Sequence, residues 1–326
     1  MNENFWEDRN VFVTGATGFL GSRLIEKLIE KRANISCLVR DWVPNSYLVL
    51  SGSLEKVNVV RGELEDYCTV LRSINENEIE VVFHLGAQTI VGTASRSVFS
   101  TFESNIKGTW NVLEACSTCS GLVKRVIIAS SDKAYGIHEK LPYTEETPLR
   151  GFFPYDVSKS CSDLLASSYY HSSGLPVGIT RCGNLYGGGD LNFNRIVPGT
   201  IKSIILDQQP IIRSDGKFIR DYFYVEDAVA AYIYLAEQME QRNLYGEAFN
   251  FGTETPLTVI DLVNRIIKLM GRDDLEPLIL NEASNEIREQ YLDCTKAKKT
   301  LNWQAKYPIE IGLEKTIKWY RQYLNS

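Results

Sequence analysis

Short apolar runs alternate with stretches whose apolar positions recur every three to four residues, and the alternation persists through the first half of the chain. Residues 10–14 read as a buried strand, and residues 19–31 as an amphipathic helix with Leu20, Leu24, Leu28 and Ile29 on its apolar stripe. The succession repeats, with strands near 35–39, 57–60, 81–85 and 126–130 and helices near 64–74 and 98–116. Strands separated by helices pair in parallel, so the pattern predicts an α/β fold, a Rossmann-type doubly wound sheet.

A further helix begins near Tyr155, and a strand follows at 177–181. The rhythm then changes to a Gly187-Gly188-Gly189-Asp190 loop, a short strand near 210–213 and shorter helices. Residues 1–182 are expected to form the doubly wound domain. Residues 183–326 are expected to form a smaller mixed α/β lobe, with some segments interleaved with the first. No repeat or low-complexity stretch interrupts the 326 residues.

Composition narrows the function classes. A net charge of -6 and a pI near 5.4 lack the basic excess of a nucleic-acid binder. No apolar run approaches the roughly 20 residues that span a bilayer, so no membrane partner is expected. The seven cysteines, 37, 68, 116, 119, 161, 182 and 294, are odd in number and scattered, and Met1-Asn2-Glu3-Asn4 begins no apolar leader. Reduced thiols in a cytoplasmic protein are expected. Cys116 and Cys119 form a C-x-x-C, but with no second pair and no adjacent histidine they read as two thiols at a helix end. With only three histidines, no metal site is expected.

Candidate chemistry begins at Gly15, Gly18 and Gly21, which directly follow a strand and open a helix. Bare backbone and a helix N-terminus at that point suit a pyrophosphate, with Thr17, Phe19 and Leu20 in the same turn. The second strand ends at Val39-Arg40-Asp41, where an acid suits the ribose hydroxyl of NAD and an arginine the 2'-phosphate of NADP. Both residues are present, so NAD is expected and NADP stays open. Tyr155 and Lys159 are four apart, which places them on one helix face, where the ammonium favours a phenolate able to take a proton from a sugar hydroxyl. Such a pair can also be an ordinary surface pair; the glycine motif upstream favours the catalytic reading.

Gly15-x-x-Gly18-x-x-Gly21, His84-Leu85-Gly86-Ala87-Gln88, Asn105-Ile106-Lys107-Gly108-Thr109, Tyr155-x-x-x-Lys159 and Arg181-Cys182-Gly183-Asn184 together resemble the extended short-chain dehydrogenase/reductases that modify nucleotide sugars. The resemblance implies a tightly held NAD, a 4-keto sugar intermediate, and a candidate cofactor set completed by Arg40, Glu63, Leu64, Leu85, Gly86, Ala87 and Asn105 with Tyr155 and Lys159. It assigns Ser131 to the C4 hydroxyl. The sequence Ser131-Asp132-Lys133 resembles CDP-glucose 4,6-dehydratases, which makes Asp132 the acid and Lys133 the base of a dehydration; an ion pair ordering the loop would instead suit a 4-epimerase. Gln88 and Thr89 on the hexose side, and Asn184, Arg195, Arg220 and Arg288 (from Glu286-Ile287-Arg288), are the implied nucleotide-sugar contacts. Trp110, Phe102 and Leu113 in the long helix read as core or as contacts of a homodimer that also uses the Tyr155 helix. A 4,6-dehydratase is therefore expected, with an NDP-sugar 4-epimerase as the alternative and a non-catalytic dinucleotide binder as the remaining class.

Overall fold

The computed structural model describes residues 5–282 and 287–325. The main sheet contains β1 (Asn10–Thr14), β2 (Asn34–Val39), β3 (Asn58–Arg61), β4 (Val81–His84), β5 (Arg125–Ala129), β6 (Val177–Cys182) and a later strand, β11 (Ala248–Phe251). Its order is β11-β6-β5-β4-β1-β2-β3, and every register from β3 to β6 is parallel. The winding reverses between β1 and β4, as a doubly wound sheet requires. Strands covered on both faces read as unbroken apolar runs. Val11, Phe12 and Val13 in β1 and Val126, Ile127 and Ile128 in β5 are all inaccessible to solvent. β11, with its Ala-Phe-Asn-Phe sequence, has no counterpart in the strands expected from the pattern.

The helices of this part are α1 (Phe19–Glu30), α2 (Tyr47–Leu50), α3 (Tyr67–Glu76), α4 (Val91–Arg96), α5 (Val98–Phe102), α6 (Gly108–Thr118) and α7 (Pro154–Ser173). The third begins three residues later than the apolar pattern suggests, because Asp66 caps it by accepting from Thr69 N. The helix expected at 98–116 is split. A π-turn, Glu103–Lys107, interrupts it between α5 and α6.

Two compact units emerge. The first holds the described residues up to His138 together with Glu145–Arg181 and Val229–Asn250. The second holds Glu139–Thr144, Cys182–Ala228 and the described residues from Phe251 onward. In the second, β7 (Asn184–Tyr186) pairs in parallel with β10 (Tyr222–Tyr224), and β8 (Ile211–Ile212) with β13 (Leu278–Ile279). β9 (Ile219–Arg220) lies between antiparallel β12 (Leu257–Thr258) and parallel β14 (Glu289–Gln290). Helices α8 (Ile196–Ile205), α10 (Val259–Leu269) and α11 (Ile309–Asn325) pack on one another. Helix α9 (Val225–Gln238) carries the chain back into the first unit. No helix of the described residues is long and apolar enough to cross a membrane.

Candidate active site

Two clusters in the first unit hold most of the residues singled out by the sequence. The first lies where β1 and β4 end side by side, the switch point at which open α/β sheets take their ligands. Gly15 leaves β1 at φ +70°, and a Cβ there would stand 2.7 Å from the Gly86 amide nitrogen. A Cβ on Gly21 would lie 2.2 Å from the Gly15 oxygen. The protein's own backbone closes both positions to any side chain. Gly18 differs: it is exposed, and its added Cβ would meet only the Gly15 oxygen, at 3.1 Å. It is the N-cap of α1, no side chain caps that end, and no acidic residue occupies the first turn. The cradle therefore presents bare backbone and a positive helix end outward, which fits a dinucleotide pyrophosphate. Thr17, Phe19 and Leu20 are half-buried in the same turn.

A buried relay braces this cradle. Thr14 Oγ1 accepts from the amides of Leu85 at 3.1 Å and Gly86 at 3.0 Å, and lies 2.8 Å from His84 Nδ1. With both lone pairs engaged, the Thr14 hydroxyl proton goes to Nδ1, so His84 carries its own proton on Nε2. Nε2 donates to Thr109 Oγ1 at 3.0 Å, and Thr109 donates to the Asn105 carbonyl at 2.6 Å. Burial, aided by the charge of Lys159, pushes the His84 pKa down to about 3, so the ring is neutral.

Asn105 explains the split helix. It sits in the π-turn, where its carbonyl accepts from Thr109 and, at 3.0 Å, from Ser162 Oγ. Its amide accepts from Gln88 N at 2.6 Å and donates to Gln88 O at 3.1 Å and Ser158 Oγ at 2.9 Å. A π-turn often marks such a site, because it re-aims one side chain. Asn105, expected among the cofactor contacts, is placed as a clamp on the β4 loop. Leu85, Gly86, Ala87 and Gln88 are half-buried in that loop and Thr89 is exposed. Leu64 is buried, with its carbonyl accepting from Asn111 Nδ2 at 2.8 Å, and Glu63 is exposed. Arg40 donates to Asp41 at 2.7 Å with both side chains more than half exposed, a pair that a ligand can readily exchange.

The second cluster lies at the end of β5. Ser131 caps a one-turn 3₁₀ helix, Asp132–Tyr135: its Oγ accepts from Lys133 N at 3.2 Å and donates to Asp132 Oδ1 at 2.9 Å. Asp132 is buried, and Ser131 and Lys133 are half-buried. Helix α7 packs against this turn, and Ser160 Oγ donates to the Ala134 carbonyl at 2.7 Å. Tyr155 occupies the first turn of α7, half-buried, with its carbonyl held by Ser158 Oγ. One turn on, buried Lys159 donates to the carbonyl of Ala129, the last residue of β5, at 2.7 Å. The structure thus brings Lys159 to the strand end from which Ser131 follows. Burial lowers the Lys159 pKa to about 8 against the opposing charge of Asp163, so at neutral pH it remains mainly cationic.

The remaining candidates belong to the second unit. Asn184 opens β7, and its backbone N–H donates to Asp221 O at 2.8 Å. Arg195 pairs with buried Asp190 at 3.2 Å, and exposed Arg288 pairs with Asp215 at 2.9 Å. Arg220 is buried and donates to the carbonyls of Ile219 at 2.9 Å, Arg288 at 3.0 Å and Ile287 at 2.5 Å, so in this structure it staples the segment that leads through Arg288 into β14. Glu286, which the sequence pairs with Arg288, lies outside the described residues.

Sequence reasoning assigned no role to Thr14, Ser158, Ser160, Ser162, Asp163 or Tyr135. A signal existed in α7: its buried face includes Asp156, Ser158, Lys159, Ser160, Ser162 and Asp163, an interior too polar for a packing helix.

The profile of the family described as GDP-mannose 4,6 dehydratase matches residues 12–316. The chain belongs to that family. The chain is 31% identical to CDP-glucose 4,6-dehydratase of Salmonella typhimurium, over 100% of its own length and 94% of the relative's. Among solved structures it resembles UDP-glucose 4-epimerase of Thermotoga maritima with UDP-glucose (TM-score 0.86, 29% identity, 97% of this chain and 99% of that one). It also resembles dTDP-glucose 4,6-dehydratase of Bacillus anthracis in complex with NAD (TM-score 0.84, 25% identity, 96% and 97%).

Proposed function

We propose that this chain is an NAD-dependent nucleotide-sugar 4,6-dehydratase that converts CDP-glucose or a related NDP-hexose to the 4-keto-6-deoxy sugar. The observation that carries the reading is the Asp132-Lys133 pair, an acid and a base in one turn beside Ser131, on the element that packs against the Tyr155 helix. Similarity to the Salmonella CDP-glucose enzyme supports it.

The cradle of Gly15, Gly18 and Gly21, with the β4 loop and Lys159, would hold the dinucleotide. When bound, NAD supplies the acceptor for hydride from C4 of the sugar and the donor that returns it at C6. Tyr155, favoured as phenolate by Lys159, takes the C4 hydroxyl proton, and Ser131 holds that hydroxyl. The 4-keto group acidifies C5–H. Lys133 then takes the C5 proton while Asp132 protonates the C6 hydroxyl, which leaves as water; with hydride returned at C6, Lys133 would give a proton back to C5, and the proton held by Tyr155 would pass through solvent to restore Asp132. Electrons and atoms balance as one sugar losing one water, with no net oxidation. The second unit is the proposed nucleotide-sugar lobe, with Asn184, Arg195, Arg220 and Arg288 toward the diphosphate; a guanidinium suits it by its bidentate fork.

The 4-epimerase reading is favoured by the Thermotoga structure and would need only Ser131, Tyr155 and Lys159. Incubation with CDP-glucose, UDP-glucose, UDP-glucuronate and GDP-mannose, read by mass and proton NMR, separates the two. Loss of 18 Da, the mass of one water, with a new C6 methyl establishes the dehydratase, and Lys133→Ala should then abolish it; an isomer of unchanged mass with inverted C4 overturns it. We place the enzyme in the cytoplasm, because its seven cysteines are free thiols, five of them buried. Recovery of the intact protein from a membrane or periplasmic fraction would contradict this. We also propose a homodimer through α5, α6 and α7, where Phe99, Trp110 and Leu164 are 80%, 54% and 58% exposed. Light scattering that shows a monomer for wild type would refute it.

A further inference from the structure

We propose that Tyr135, held by Arg181 and Asp163, is a positioning residue that sets where Asp132 and Lys133 stand for the elimination step; this rests on the dehydratase reading above.

A four-residue 3₁₀ turn has little rigidity of its own. Its first two residues carry the proposed acid and base, and its last is Tyr135, whose side chain is inaccessible to solvent. The Tyr135 hydroxyl donates to Asn250 Oδ1 at 2.6 Å and accepts from Arg181 Nη1 at 2.9 Å, and the Arg181 guanidinium carbon lies 5.0 Å from the Tyr135 ring centroid. Arg181 in turn forks onto Asp163, with Nε to Oδ2 and Nη2 to Oδ1 both at 2.8 Å and side chains 7% and 3% exposed. Asp163 is four residues past Lys159 and eight past Tyr155 on α7, hence on their side of that helix. One hydroxyl therefore ties the turn bearing the dehydration pair to the helix bearing the redox pair, through a planar fork that tolerates little rotation. Next along the chain, Gly136 at φ +73° has space for no Cβ, which would fall 1.9 Å from the Arg150 oxygen, so the turn's exit is fixed as well. A buried ion pair is weak support for stability, since apolar residues of equal volume often do as well; what it supplies here is geometry.

The test is Tyr135→Phe in the holoenzyme, which keeps the ring and deletes only the hydroxyl. A misplacement on the order of 1 Å costs about 100-fold in a positioned step. The expected result with CDP-glucose is a loss of about 10- to 100-fold in water elimination and in solvent deuterium entry at C5, with KM within about twofold and with 4-keto-hexose nucleotide, trapped by borodeuteride, accumulating because C4 oxidation continues. A purely structural role would slow oxidation and elimination in parallel. Parallel loss, or elimination within twofold of wild type, overturns the proposal. If wild type inverts C4 and loses no water, the dehydratase reading is what fails. The positioning claim is then decided by amide exchange: faster exchange confined to 131–136 in Tyr135→Phe supports it, and unchanged exchange overturns it.

Discussion

His84 offers a sharp test of the relay that supports the dinucleotide cradle. Its folded pKa, about 3, lies well below the roughly 6.5 of an exposed imidazole, because burial and the nearby Lys159 charge both oppose a second proton. A base with a depressed folded pKa contributes stability that is whole above pH 6.5 and is lost as pH falls toward 3, since over that window only the unfolded chain binds the proton. Between pH 7 and pH 5 the loss from this one residue is about 2 kcal/mol, the linkage expression evaluated with those two pKa values. The perturbation is His84→Gln, which removes the titration. Urea unfolding of both proteins at the two pH values isolates it: wild type should lose about 2 kcal/mol more than the variant, whatever their absolute stabilities. The chain has three histidines, so nitrogen-15 labelling of histidine can follow the same ring directly. One imidazole should stay neutral to pH 5, protonated on Nε2 and bare on Nδ1. An imidazole signal for every histidine that titrates above pH 5, or equal acid sensitivity in wild type and variant, would show that Thr14 and Thr109 do not hold a neutral ring.

The glycine cradle predicts a split between folding and binding: Gly21→Ala should destabilise by about 3 kcal/mol through collision with the Gly15 oxygen, read by urea unfolding. Gly18→Ala should stay within about 1 kcal/mol of wild type yet weaken NAD binding by tenfold or more, about 1.4 kcal/mol, read by calorimetry; equal behaviour of the two variants would refute the assignment. In the second unit, buried Asp221 accepts from Thr253 N at 3.0 Å and Glu254 N at 3.2 Å, with burial raising its pKa and these bonds opposing. Asp221→Asn should cost about 2 kcal/mol by turning an N–H donor toward those amides, whereas exposed Asp273→Asn should cost almost nothing; equal costs would refute that placement.

The sheet was readable because its strands are covered on both faces: short runs such as Val-Phe-Val in β1 and Val-Ile-Ile in β5, set between helices, suit a buried strand far better than a helix or a loop. Boundaries were less readable where one polar side chain decides them, as Asp66 does at α3 and Asn105 at the π-turn. Apolar periodicity runs unbroken across 98–116, so nothing in it signals a carbonyl taken by Thr109 and Ser162. Gly15, Gly18, Gly21, Tyr155 and Lys159 were identified as candidates through motif and spacing. Tyr135, Asp163 and Thr14 were not, since their partners lie 115, 18 and 70 residues away in the chain.

Helix α7 shows why these long-range contacts bear on function. On hydrophobic grounds a segment that buries two aspartates, a lysine and three serines has no reason to lie inside. It does so because specific acceptors meet it: Ser158 and Ser162 serve the Asn105 turn, Ser160 holds the Asp132–Tyr135 turn, Lys159 reaches the end of β5, and Asp163 receives Arg181. Each bond fixes a neighbouring element relative to Tyr155. Such an interior gains little net stability, about 1 kcal/mol per hydrogen bond, but it leaves the catalytic elements few alternative positions. The same scaffold would serve an epimerase equally well. On the proposed reading what separates the two reactions is Asp132 and Lys133, so the reaction would be decided at a single 3₁₀ turn while the rest of the unit would be common to both.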